Sequence, residues 1–334
     1  MSDVAAHAGV SVMTVSNVIN RPEIVSDRTR ETVLESMRTL SYRNNLVARS
    51  LRLAEPRQIA YAFNNNRGNP YMDEFLHELA VASQEKKRNL TLIAEASEEA
   101  EIESCDDLYY GRVISGVVIS DVKGDDPRPA ELSKRNIPFV AYGRTFAGER
   151  VPWSWVATDV ARGIELGVDH LVGLGHSELA FIGDTQDRPT NIARFDGYLN
   201  ACRRYSLEAS VVPQRVVPVP DEVGAAEAAV RQLLLSPKPP TGLVCISDRV
   251  AAGALSAAEG LGIVPGADLA VTGFDDSPVA SFGRTGITSV RQPALGIARA
   301  LVSVLIDRPE EPLHTLLEPT LIVRGSTTGN ADIA

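Results

Sequence analysis

Residues 3–21 read Asp-Val-Ala-Ala-His-Ala-Gly-Val-Ser-Val-Met-Thr-Val-Ser-Asn-Val-Ile-Asn-Arg, and residues 48–52 read Ala-Arg-Ser-Leu-Arg. These two stretches decide how the chain is read. Val4, Ala5 and Ala8 recur at the spacing of one apolar helix face, with Ser2 as the candidate cap. Gly9-Val10-Ser11 breaks that helix, because glycine can take the positive φ of a tight turn. A second helix over 12–20 would bury Val15, Val18 and Ile19 and turn Val12, Met13, Ser16 and Asn17 outward. A third starts at Ser26, an N-cap followed by Asp27, with Val33, Leu34, Met37 and Leu40 as its expected inner stripe. Two short helices across a glycine turn, braced by a third, form a helix-turn-helix.

At 334 residues the chain is long enough for such a module plus one or two larger domains. With 44% hydrophobic and 23% charged residues it is globular in composition, and its apolar runs are strand-sized, so no membrane span is expected. The first residues lack a basic region followed by an apolar core, so no export signal is read and a cytoplasmic location is expected. Cys105, Cys202 and Cys245 are widely spaced, as buried reduced thiols would be. The net charge of −10 argues at first against nucleic acid. Its distribution points the other way. Residues 1–53 hold seven arginines against five acids, and the stretch from Ser36 to Ala54 holds four arginines and no acid. A weakly basic head on an acidic body suits a protein that touches DNA at one end only.

After Arg43-Asn44-Asn45, residues 46–53 form a segment free of Gly and Pro. An isolated helix of that length is marginal in water, so it would gain order only with a partner and DNA. From Gln58 onward strand-like runs alternate with amphipathic helices. The strands are read at 59–63, 90–94, 116–120, 138–142, 179–183, 211–217, 242–246, 269–273, 287–291 and 316–323. Among the helices are 71–86, 160–174 and 225–235. Such alternation implies right-handed crossovers and parallel sheets, and its length implies two doubly wound subdomains.

The pattern DVA-x-x-AGVS-x-x-TVS-x-V-x-N over residues 3–20, joined to ARSLR at 48–52, resembles the lactose-repressor (LacI/GalR) family of transcription regulators. The likeness runs the whole length and is specific because head, hinge and body occur together. Met1-Ser2 stand where relatives carry a few more residues, so either Ser2 caps the first helix or the start lies upstream. The resemblance implies a helix-turn-helix DNA-binding domain (1–45), a hinge helix (46–55) and an effector-binding and dimerisation core (56–334) of periplasmic-binding-protein-like fold. Its N-subdomain is expected at about 56–156 plus 288–313 and its C-subdomain at about 157–287 plus 314–330. Crossings between them are expected near 156–158, 285–291 and 312–316.

By the same resemblance the second helix enters the major groove of a pseudo-palindromic double-stranded operator. Val12, Met13 and Asn17 read bases, Ser11, Thr14 and Ser16 contact phosphate or cap, and Asn20 is a further DNA-binding residue. Asparagine pairs bidentately with adenine, worth about 1–3 kcal/mol against a wrong base. In the hinge, Ala48 permits close approach to the minor groove, Leu51 wedges a base step apart, and Arg49 and Arg52 neutralise phosphates. In the body, Asn64, Tyr71, Arg144, Asp159, Arg194, Phe195, Asp248 and Asp275 match effector positions. Carboxylates and guanidinium groups converging on one cleft suit the paired hydroxyls of a sugar. Trp153 and Trp155 are read as a stacking platform or as packing. Ser247 departs from the asparagine that relatives carry there.

No GxSxG, Walker loop, HExxH or GxGxxG after a strand occurs, so no enzyme, catalytic residue or cofactor is read. His170 and His176 have no zinc spacing, so no metal is read either. The resulting expectation is a homodimeric repressor with a sugar-like inducer. The alternatives are a corepressor-dependent regulator binding a nucleobase or other metabolite, and a non-exported solute-binding protein. Eleven residues follow Val323 without a heptad zipper, so no tetramerisation helix is expected.

Overall fold

The computed structural model describes residues 1–42, 56–62, 70–144, 151–185, 188–282 and 285–328. Backbone contacts divide the chain into two units, Met1–Glu55 and Pro56–Ala334.

In the first unit, α1 (Ser2–Ala8) ends at Gly9, whose φ of 66° is left-handed. That turn lets Val10 N–H bond back to Ala5 C=O at 3.0 Å and leads into α2 (Val12–Asn20). Ser11 caps α2 by accepting the Thr14 N–H, and Ser26 caps α3 (Asp27–Thr39) by accepting that of Thr29. The core is small: Val4, Ala5, Val15, Val18 and Val33, with Val10, Ile19 and Met37 packed around them. Two expectations fail here. Ser2 lies inside α1, and its N-cap is Met1, which makes no side-chain cap bond. Leu34 and Leu40 are exposed, because the inward position of the third turn of α3 belongs to Ser36, which is 3% exposed. Ser36 donates to Thr32 C=O at 2.9 Å, so its oxygen is left to accept from His7 Nδ1 at 3.0 Å. The pair pins α1 to α3.

The second unit holds two six-stranded sheets with helices on both faces. The first contains β1 (Gln58–Ala62), β2 (Asn89–Ile93), β3 (Ile114–Ser120), β4 (Phe139–Tyr142), β5 (Trp155–Thr158) and β11 (His314–Leu317), in the order β11-β5-β4-β3-β1-β2, all parallel. The second contains β6 (Leu179–Ile182), β7 (Val216–Val217), β8 (Gly242–Cys245), β9 (Ala270–Asp275), β10 (Thr288–Arg291) and β12 (Thr320–Ile322), in the order β12-β10-β9-β8-β6-β7. Only β12 runs antiparallel, against β10. These near-continuous apolar strands are what a sheet covered on both faces requires. The helices are α4 (Pro70–Glu85), α5 (Glu98–Tyr110), α6 (Arg128–Lys134), α7 (Val160–Gly173), α8 (Pro189–Arg204), α9 (Val223–Leu234), α10 (Asp248–Glu259), α11 (Pro278–Ser281), α12 (Ala294–Asp307) and α13 (Gly325–Thr328). Helix α12 buries Ile297, Leu301 and Leu305 with Phe75 and Leu79 of α4 in the first lobe.

The crossings between lobes follow β5, β10 and β11. The expected boundaries at 285–291 and 312–316 are therefore too early. Residues 288–291, expected in the N-subdomain, pair with β9 and β12 in the second sheet. Residues 314–317, expected in the C-subdomain, pair with β5 in the first. The single run read at 316–323 is split at Glu318-Pro319, and Pro319 has no N–H to donate to a ladder. Likewise 211–217 is interrupted by a 3-10 turn at Pro213–Arg215, leaving the two-residue β7.

The head's core is small enough for one truncation to matter. Val33→Ala should cost the head about 2 kcal/mol, from roughly 0.8 kcal/mol per lost CH₂ plus the cavity. Leu34→Ser should cost under about 0.5 kcal/mol. Calorimetry resolving the two units checks this, and equal losses would contradict the observed α3 register.

Candidate functional site

Two surfaces qualify. On the head, Val12 and Met13 are 47% and 69% exposed at the start of α2. Two large apolar side chains held in solvent beside each other make this end of α2 a candidate contact surface. The hydroxyls of Ser11 and Thr14 lie 2.9 Å apart in the cap beneath them. Ser16 and Asn17 follow on α2, half-buried, and Asn20 is its last residue. The expected hinge contacts Ala48, Arg49, Leu51 and Arg52 lie outside the described residues, as does Asn64.

In the body, a cleft of about 1250 Å³ opens between the two sheets at the carboxyl ends of their strands, where parallel sheets place ligands. Asp275 closes β9 and lies 8% exposed within it. Its φ of 101°, followed by 50° at Asp276, holds two non-glycine residues in the left-handed region. Strain of this kind persists only where the surroundings over-determine it. They do so here. Arg291 and Arg324 each approach Asp276 to 2.6 Å. Asp276 N–H donates to Ser289 Oγ at 3.0 Å. Asp248 accepts from Ser277 N–H at 2.7 Å, from Ser277 Oγ at 2.9 Å and from Ser289 Oγ.

Arg194 comes from α8. That helix can lie against α7 because Gly197 has no Cβ, which would fall 2.4 Å from Ala161 C=O. The Arg194 guanidinium sits 4.1 Å from the centre of the Phe274 ring, and its Nη2 is 3.5 Å from Asp275 Oδ1. Among the described residues its buried Nε has no hydrogen-bond partner, an unmet donor behind the cleft surface. Gln292 donates from Nε2 to Asp275 Oδ1 at 2.7 Å and accepts from Thr158 Oγ1 at 2.6 Å. Thr158 ends β5 and Gln292 follows β10, so one side chain ties two crossovers to the cleft acid.

Of the other expected residues, Tyr71, Arg144 and Asp159 line the cleft. The Tyr71 hydroxyl lies 2.7 Å from that of Tyr142, and burial pushes both phenols up, keeping them neutral. Arg144 stands 5.9 Å from the Trp155 ring centre, and Asp159 caps α7 by accepting Arg162 N–H. Two expected residues lie behind the wall instead. Phe195 turns into the core against Phe181, ring centres 5.3 Å apart. Asp248, 1% exposed, is spent on the brace beneath Asp275. Neither tryptophan lines the cleft; Trp155 stacks on His314. Gln292, Tyr142, Asn191 and Arg249 line it and were not anticipated. The one available signal was that Gln292 follows a strand at its carboxyl end.

Burial lifts the Asp275 carboxyl to about 7 against the pull of Arg194, and lifts Asp248 to about 6. The unfolded aspartate titrates near 3.9. The neutral form's contribution to stability is therefore complete below about pH 4 and is lost as pH rises through 7. Asp275→Asn should flatten the fall in stability between pH 5 and pH 8, by a few kcal/mol at most at about 1.4 kcal/mol per pKa unit. Denaturant midpoints across that range check it, and an unchanged slope would contradict the assignment.

Residues 1–45 match the lacI family of bacterial regulatory proteins, and residues 168–327 match a periplasmic binding protein-like domain. An uncharacterized HTH-type transcriptional regulator of Bacillus subtilis, YvdE, is 30% identical over 98% of this chain and 99% of its own. The solved complex of the transcriptional regulator CelR with cellobiose is 29% identical, covers 97% of this chain and 98% of that one, and superposes with a TM-score of 0.71. The lac repressor dimer bound to operator and the anti-inducer ONPF shares the fold, with a TM-score of 0.82 at 24% identity over 98% of both chains. With full-length similarity at both the head and the body, the chain belongs to the lacI family of bacterial regulatory proteins.

Proposed function

We propose that this chain is a sequence-specific transcriptional repressor whose operator affinity is set by a sugar-class inducer bound between the lobes of its body. The observation that carries the reading is Asp275. It is a buried acid facing an arginine with a donor to spare, and Gln292 ties it to two of the three crossovers. A vicinal diol can accept from Arg194 and donate to Asp275, each bond assisted by charge. Occupation would compete with Gln292 and alter how the lobes meet. Support for a saccharide comes from the cellobiose complex of the similar CelR.

On DNA, α2 would lie in the major groove with Val12 and Met13 against thymine methyl groups and Asn17 on adenine. Ser11, Thr14, Ser16 and Asn20 would cap or meet phosphates. Residues 46–55 form the proposed hinge, in which Leu51 unstacks a base step beside Ala48 while Arg49 and Arg52 meet phosphates. A homodimer on a pseudo-palindrome matches two-fold symmetry, as in the operator-bound lac repressor dimer. The chain acts in the cytoplasm, where its operator lies, and performs no catalysis.

Gel retardation with promoter DNA, with and without sugars, tests the reading. A matching sugar should weaken binding by about 5–150-fold, the usual range of such coupling. No retardation at low salt would leave only a solute-binding role. Leu51→Ala should reduce specific binding at least about tenfold more than nonspecific binding, since an unmade wedge forfeits kcal-scale contacts; equal losses would remove the wedge. Arg194→Ala should abolish the sugar's effect on retardation, and a preserved response would contradict its place in the site.

A further inference from the structure

Arg128, the first residue of α6, is a fully buried cation in the first lobe, behind the wall of the cleft. Its guanidinium grips both ends of one turn. Nη2 donates to Ser120 C=O, at the end of β3, at 2.8 Å. Nη2 and Nε donate to the Asp126 carboxylate at 2.7 and 3.0 Å, and the Arg128 N–H bonds the same group at 2.9 Å. The third nitrogen, Nη1, reaches Glu101 of α5 at 2.8 Å. Tyr61 of β1 donates to Ser120 Oγ at 3.0 Å from the neighbouring strand. The turn from Ser120 to Asp126 is thus spanned by a planar fork whose bonds have fixed directions. Buried ion pairs add little stability over apolar packing. What this one supplies is a fixed shape for the turn.

The turn presents Asp121 to the other lobe. Asp121 follows β3 with a φ of 55°, a left-handed conformation that its surroundings must hold. Its Oδ2 accepts from Arg188 Nη1 at 3.4 Å. Arg188 is the N-cap residue of α8, the helix that carries Arg194. Both partners lie away from the crossovers. Strand β3 is two strands from β5, about 10 Å, and β6, which leads into α8, is three strands from β10, roughly 14 Å. A bond at that distance from the pivot resists rotation of one lobe against the other more than the same bond beside it. Both side chains are partly exposed, so the bond is weak enough to break and re-form.

We infer that Asp121 and Arg188 form a latch that holds the two lobes together away from the crossovers, and that Arg128 is the positioning residue that sets the turn for it. The latch needs no ligand, so it stands or falls apart from the sugar reading.

Hydrogen exchange on the full, ligand-free chain tests both parts. The Asp159 N–H donates to Leu317 C=O at 2.9 Å, joining the crossover after β5 to the one after β11, so its exchange reads motion between the lobes. Asp121→Asn and Arg188→Gln should each speed it about two- to fivefold, the scale of an exposed ion pair. The charge swap, Asp121→Arg with Arg188→Asp, should bring it back toward the original rate. Unchanged exchange at Asp159 in both single variants, or a swap as fast as they are, overturns the latch. Arg128→Lys keeps the charge and loses the fork. It should speed exchange over residues 121–127 and at Asp159 together, and adding Asp121→Asn should change Asp159 no further. Where Arg128→Lys does not fold, Asp126→Asn, which keeps the size of the side chain, takes its place with the same expectation. An Asp121→Asn increment that persists in full on top of either variant, or a loosened turn with Asp159 unmoved, overturns the positioning role.

Discussion

The body depends on one buried carboxylate. Asp275 ends its strand in a backbone conformation that an aspartate adopts only under constraint, and the constraints converge from three elements: Arg194 of α8, Gln292 of the second crossover, and the Asp248–Ser277–Ser289 brace beneath it. Burial by itself would keep this acid neutral. The adjacent cation, the amide donor and an incoming hydroxyl each favour the ionised form. A group balanced in this way responds to small changes around it. Because Gln292 also accepts from Thr158, whatever displaces it from Asp275 is felt at two of the three strands joining the lobes.

A ligand-controlled DNA binder needs an element with two arrangements that two sites can bias, and the Gln292 link between Asp275 and Thr158 is where such an element would lie. A ligand that engages Asp275 differs in its contacts between the arrangements, which is the only way binding can shift an equilibrium. Arg188 and Asp121 meet across the cleft from opposite lobes. The acidity of the cleft and the modest basicity of residues 1–53 give body and head surfaces of different electrostatic character.

Much of this was legible in the residues. Gly9, Ser11 and Ser26 act locally, through backbone conformation and capping, so the helices of the head follow from short-range rules. The strand-helix alternation likewise gave most elements of the body. What escaped were choices made by tertiary packing. Hydrophobic period alone placed Leu34 inward, whereas the contact with His7 selects Ser36. The ends of β10 and β11 are set by which sheet they join, and nothing in their composition tells one sheet from the other. Phe195 and Asp248 occupy family-like positions in sequence, yet one packs against Phe181 and the other braces a turn. Gln292 carries no motif; its importance exists only once Thr158 and Asp275 are brought to either side of it.

Hydrogen exchange at the crossovers tests the central claim most directly. With a saccharide that binds, amide protection should change together at Thr158–Asp159 and at Arg291–Gln292 as the site fills. A saccharide that lowers operator affinity while exchange at both crossovers stays constant would contradict it.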